Sequence, residues 1–137
     1  MVWIYVATSK SLQEWGASVG VTKHLYKVGV CEAPPAEAVA SLNAARHAGA
    51  EDWKLVKKRQ VEAADEARIL ARLAGQEQVL DGRYYPRLEG AGGICKVKPL
   101  NVTNALLVQR ALDAGELKVD RLKSADIAEY LLRNAME

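Results

Sequence analysis

Apolar side chains fall on both sides of a strand-like alternation from Val2 to Ala7, with Trp3, Tyr5 and Ala7 on one face and Val2, Ile4 and Val6 on the other. Leu25 to Cys31 repeats that signal, and the simplest arrangement pairs the two as antiparallel neighbours. Residues 8–24 between them hold Thr, Ser, Lys, Gln and two glycines, and predict a long loop or an irregular hairpin arm. Pro34-Pro35 then opens a helix, because a first turn leaves its N–H groups unpaired in any case. Glu37 suits the positive end of that helix, Val39, Leu42 and Ala45 or Arg46 follow at helical spacing, and Gly49 can end it. Trp53 to Arg59 predicts a third strand. The clearest helix runs from Val61 to Ala74, with Ala63, Ala64, Ala67, Ile69, Leu70 and Leu73 as its apolar face and Gly75 as its stop.

Beyond it, Asp81-Gly82 signals a turn before Arg83-Tyr84-Tyr85-Pro86. Gly90-Ala91-Gly92-Gly93 marks a boundary, dividing the chain into residues 1–89 and a helical extension over 90–137. That extension reads as a short strand, Ile94 to Val97, and two helices, one after Asn101 and one after Ser124, both good N-caps. The helices are expected to pack on the first unit or to mediate self-association as a homodimer. The order β-β-α-β-α does not produce the right-handed parallel crossovers of a doubly wound sheet. It predicts an α/β protein of the α+β kind: a small three-stranded mixed or antiparallel sheet flanked by helices.

The chain has 137 residues, half of them hydrophobic, enough for one domain with a real core. No apolar run is long enough to span a bilayer, and the N-terminus lacks the features of a signal peptide, so no membrane partner and a cytoplasmic location are expected. Cys31 and Cys95 predict reduced, partly buried thiols, and with only His24 and His47 beside them the chain offers too few ligands for structural zinc. The net charge of +2 announces no nucleic-acid binder. Positive charge is nevertheless concentrated in Lys54, Lys57, Lys58 and Arg59, and more loosely in Arg83, Arg87, Lys96 and Lys98. The first of these clusters fits a phosphate backbone as well as it fits an exposed, solvated strand.

Ile4-Tyr5-Val6, then Leu25-Tyr26-Lys27-Val28-Gly29-Val30, then a helix with Leu42-Asn43, a strand, and a helix with Val61, Glu66, Ile69 and Leu73 ahead of Tyr84-Tyr85 resembles the order of the GIY-YIG nucleases. It is most similar to the branch common in phages, and the resemblance covers about residues 2–87. It implies hydrolysis of nucleic-acid phosphodiesters, with DNA as the expected partner and RNA not separated from it, and with magnesium or manganese as cofactor. Tyr5 then matches a catalytic tyrosine that activates the nucleophile or orients the phosphate. Gly29 matches the glycine that lets a backbone come close. Glu66 matches the metal-binding carboxylate, and Lys27 becomes a catalytic phosphate contact. The cations Lys54, Lys57, Lys58 and Arg59 are the expected nucleic-acid contacts.

The departures from the family carry equal weight. The position of its helical arginine falls on Ala38, and Arg46 lies about two helical turns further on, ~12 Å away. Trp3 stands where the first signature has glycine, and Leu70 where a histidine often follows the glutamate. Tyr26, one residue before Lys27, should point to the opposite face of its strand. Losing a charge that stabilises the transition state commonly lowers the rate on the order of 10²–10³-fold. A second expectation therefore stands beside the nuclease: a catalytically inactive module that binds DNA or another protein.

Overall fold

In the computed structural model, which describes residues 2–20, 24–80, 93–114 and 124–136, strand β1 (Val2–Ser9) lies between β2 (Leu25–Cys31) and β3 (Trp53–Val61). Beyond β2 follow β5 (Ile94–Lys96) and β4 (Gln78–Val79), giving the order β3-β1-β2-β5-β4 with every pair antiparallel. The mixed α/β class is as expected, but the sheet has five strands rather than three. Of the added pair, β5 is expected from the sequence as a short strand but not as part of this sheet, which it joins through Ile94 and Cys95, both fully buried against β2. Strand β4, two residues long, leaves no readable pattern.

Two apolar layers cover the sheet. On one face Ile4, Val6, Tyr26, Val28, Cys95 and Val97 pack with Ile69 and Leu73 of α3 (Glu66–Gln76), Val102 of α4 (Pro99–Ala114), and Ile127, Leu131 and Leu132 of α5 (Ser124–Met136). On the other, Tyr5, Ala7, Leu25, Trp53 and Ile94 pack with Leu12 of α1 (Lys10–Ser18) and Val39 of α2 (Pro35–Ala44). Tyr26 does face away from Tyr5, and its hydroxyl reaches Ser124 of α5 at 3.4 Å. No helix among the described residues is long and apolar enough to cross a membrane.

Four local expectations change, the simplest being that α4 starts at Pro99, so Asn101 lies within its first turn instead of capping it. Residues 8–24 are not simply a loop, because α1 forms within them. Ser9 caps it by accepting from the Leu12 N–H at 3.1 Å, and Asp52, at the entry to β3, accepts from the Ser9 hydroxyl and from the Ser11 N–H at 2.9 Å. Helix α3 begins at Glu66 rather than Val61, since Val61 still pairs with Val2 at the end of β3 and Asp65 is the cap that accepts from the Ala67 N–H. Glu66 is therefore the first residue of its helix, and Gly75 lies inside that helix, which continues to Gln76. Helix α2 ends at Ala44, well before Gly49, and a 3₁₀ turn at His47–Gly49 follows. Asn43 ties that end of α2 to β3, accepting from the Trp53 N–H at 2.6 Å and donating to its carbonyl at 3.1 Å.

A β-bulge at Val56 shapes the chemistry. Leu55 pairs with Ala7 and Lys57 with Val6, so two steps along β3 match one along β1. Since side chains alternate along a strand, the extra residue reverses the faces of everything after it. Lys57 and Arg59 turn toward α5, and Lys58, opposite Tyr5, takes the Tyr5 face. The Asp81-Gly82 turn, Arg83, Tyr84-Tyr85, Arg87 and residues 90–92 lie outside the described residues.

Candidate functional site

Tyr5 is 5% exposed and its ring lies directly over Gly29 of β2. A Cβ built at Gly29 would come within 2.5 Å of the ring carbon Cζ and the hydroxyl oxygen, so only glycine leaves room for the phenol there. Burial, with smaller contributions from Cys31 and Glu66, pushes the phenol up to about 12. At neutral pH only about one Tyr5 in 10⁵ would carry a phenolate. The side chain is thus suited to donate a hydrogen bond from its O–H and poorly suited to remove a proton.

Lys27 shares that face, paired with Ala7 and Ile94, and is 6% exposed. Burial lowers the affinity of its amine for a proton, and Glu66 and then Cys95 act against that effect. Its Nζ packs against Gly93, which has φ +79°. A Cβ at Gly93 would stand 2.8 Å from Nζ and 2.5 Å from the Val28 carbonyl. Glu66 is exposed in the first turn of α3, where the helix dipole favours an anion. Its charge acts on both Tyr5 and Lys27. Tyr5 and Lys27 are thus neighbours on one sheet face, while Glu66, at the start of a helix whose body packs on the other face, is linked to them through its charge alone.

Ala38 packs partly buried in the apolar layer beneath α2, on the same side of the sheet as Tyr5. Neither of the nearer described arginines replaces the missing cation there. Arg46 is exposed and paired with Glu51 at 2.5 Å. Arg59 is on the opposite face, donating to both oxygens of Glu129 at 3.0 and 3.1 Å.

The cations of β3 do not form one patch. Lys57 meets Glu129 at 2.8 Å, next to Arg59, and Arg133 reaches the same carboxylate at 3.3 Å. Lys57 foremost, then Arg59, holds Glu129 down at about 2 against the opposing effect of burial. Lys54 is exposed and paired in register with Thr8. Lys58 alone of the four stands on the Tyr5 side, its Nζ 5.3 Å from the centre of the Trp3 ring. The sequence placed Trp3 on the Tyr5 face by simple alternation. Nothing in it distinguished Lys58 from its neighbours, because the bulge has no sequence signal of its own.

Among the described residues no three His, Cys, Asp or Glu side chains converge on a point that could hold a metal ion. Glu66 supplies a single carboxylate. That fits magnesium held mostly by water and substrate phosphate, and does not fit a resident centre built wholly from protein. Cys31 and Cys95 form no disulfide, and burial pushes the Cys95 thiol up to about 12, leaving it inert. A cleft of about 460 Å³, lined by Ile4, Val61, Arg68, Ile69 and Arg72, contains none of Tyr5, Lys27 or Glu66. Comparison with known proteins gives no match: no family model, no curated protein and no solved structure matches the chain.

Proposed function

We propose that this chain engages nucleic acid, with DNA as the first candidate, through the sheet face bearing Tyr5 and Lys27, and that it hydrolyses phosphodiesters there in a metal-dependent way. The observation that carries the reading is the placement of Tyr5 and Lys27 as diagonal neighbours on one face of β1 and β2, with Gly29 leaving room for the phenol. Glu66, on a helix whose body packs against the other face, acts on both through its charge. The resemblance of the signature segments to GIY-YIG nucleases supports it. In this reading Tyr5 orients a phosphate oxygen through its O–H, and Lys27 offers positive charge beside it. Glu66 holds a magnesium or manganese ion together with the substrate phosphate. Bound there, the ion supplies charge to the scissile phosphate.

The test is cleavage of supercoiled, branched and single-stranded DNA with magnesium or manganese, comparing wild type with Glu66→Ala. Metal-dependent cleavage that disappears in the variant is expected, while cleavage that persists in Glu66→Ala excludes this site. Ala38 favours a second reading, binding without turnover, since an alanine at that position supplies no charge to a phosphate. In that case no metal yields product, and a gel shift weakens steeply as salt is raised.

A further inference from the structure

We propose that Trp3 and Lys58 form a subsite for an unpaired nucleotide beside Tyr5, with the base stacked on the Trp3 ring and a phosphate of the same strand on the Lys58 ammonium. The inference rests on the nucleic-acid reading above and narrows its substrate to single-stranded or flipped-out positions.

Trp3 precedes Tyr5 by two residues, so both rings rise from the same face of β1. It is only partly covered, at the end of the strand, with Cys31 and Gln60 as its lateral partners. Lys58 pairs in register with Tyr5 on the neighbouring strand, and its ammonium reaches the Trp3 ring two residues before Tyr5. Its situation differs from that of the adjacent cations. Lys57 and Arg59 share the carboxylate of Glu129, whereas Lys58 is exposed and has no carboxylate partner among the described residues. Its contact is with the ring, and an exposed cation–π contact is weak. A nucleotide carries the complementary pair of groups, a flat π surface and an anion. A phosphate can draw the ammonium aside and leave the ring to the base. A base within a duplex is already stacked on its neighbours and cannot lie flat on an indole, so the pair selects unpaired positions.

The experiment is a fluorescence-anisotropy titration of labelled oligo(dT) and of a duplex of equal length. The proteins compared are wild type, Trp3→Leu, Trp3→Tyr, Lys58→Ala and, as a control on the other face, Lys57→Ala. Wild type should prefer the single strand. Trp3→Leu should lose on the order of ten-fold in affinity for it and little for the duplex, and Trp3→Tyr should recover most of that loss. Lys58→Ala should weaken binding and flatten the salt dependence by about 0.7 in the log–log slope, while Lys57→Ala leaves both unchanged. Tryptophan emission quenched by oligo(dT) in wild type should lose that quenching in Trp3→Tyr, a readout that survives if Trp3→Leu does not fold. Single-strand binding that is indifferent to both Trp3→Tyr quenching and Lys58→Ala overturns the subsite alone. Failure of wild type to bind either probe at low salt overturns the underlying reading, and the subsite with it.

Discussion

At Tyr5 the fold holds a phenol in its protonated form, and the same is true of Tyr130, which burial and then its bond to Glu77 raise to about 12. A group whose proton is held more tightly in the folded state stabilises it fully below the unfolded value near 10. That contribution is lost as pH rises through about 12, because the unfolded chain ionises first. For the well-buried Tyr5 the loss is on the order of 2 kcal/mol. The melting temperature should therefore fall between pH 10 and 12, and fall less in Tyr5→Phe; equal losses in the two proteins would dissociate Tyr5 from the effect. Gly29 and Gly75 make an opposed pair. Alanine at Gly29 collides with the Tyr5 ring and should destabilise by about 1–3 kcal/mol. Alanine at Gly75 meets nothing within 4 Å inside α3 and should stabilise by roughly 0.5–1 kcal/mol. Urea midpoints of the two variants that shift in the same direction would contradict this packing.

Strand β3 shows how an element can divide what the sequence presents as a unit. Lys54 to Arg59 looks like one basic patch, but the bulge at Val56 sends Lys57 and Arg59 to α5 and Lys58 to the Tyr5 face. Lys57→Ala and Glu129→Ala should each lower stability by about 1 kcal/mol after allowing for solvent screening. Lys58→Ala should leave the thermal midpoint within a degree or so. Because Glu129 is held at about 2, below its ordinary 4.5, its contribution is present above pH 4.5 and disappears as pH falls toward 2. Acid titration of wild type against Glu129→Ala, followed by circular dichroism, should show the two melting curves converging at low pH. Curves that stay parallel would remove Glu129 from the acid response. The bulge was not legible because it depends on how β3 registers against β1, a pairing between segments far apart in the chain. Helix α1 was missed for a related reason. Its cap at Ser9 is local, but the carboxylate that steadies that cap, Asp52, arrives from the start of β3. The strands β1 and β2 were legible because their apolar alternation is local and complete.

The whole molecule joins its two ends in one core. Tyr5, Lys27 and Glu66 could be picked out from the order of the signature segments, yet the placement of Tyr5 beside Lys27 depends on β2 lying between β1 and β5. The Gly93 backbone closes over Lys27, and its carbonyl accepts from the Val28 N–H at 2.9 Å. A division near residue 90 therefore cuts through the sheet. Val97, Val102, Ile127, Leu131 and Leu132, all from the C-terminal third, are buried against Ile4, Val6, Tyr26 and Val28. Each such side chain contributes about 1.5–3 kcal/mol when fully buried, so removing five of them withdraws an amount comparable to the whole stability of an ordinary domain. Glu77 adds a polar joint to the same assembly. This buried carboxylate accepts from the Lys98 N–H at 3.2 Å, and from Asn101 Nδ2 and the Tyr130 hydroxyl at 3.0 Å each. A fragment of residues 1–92 should consequently lack a cooperative thermal transition and bind a hydrophobic dye. Adding residues 93–137 as a separate peptide should restore some order only if the two pieces reassociate. A sharp, reversible melt of the isolated fragment would show that the first two thirds of the chain carry their own core and that the site at Tyr5 does not depend on the C-terminal helices.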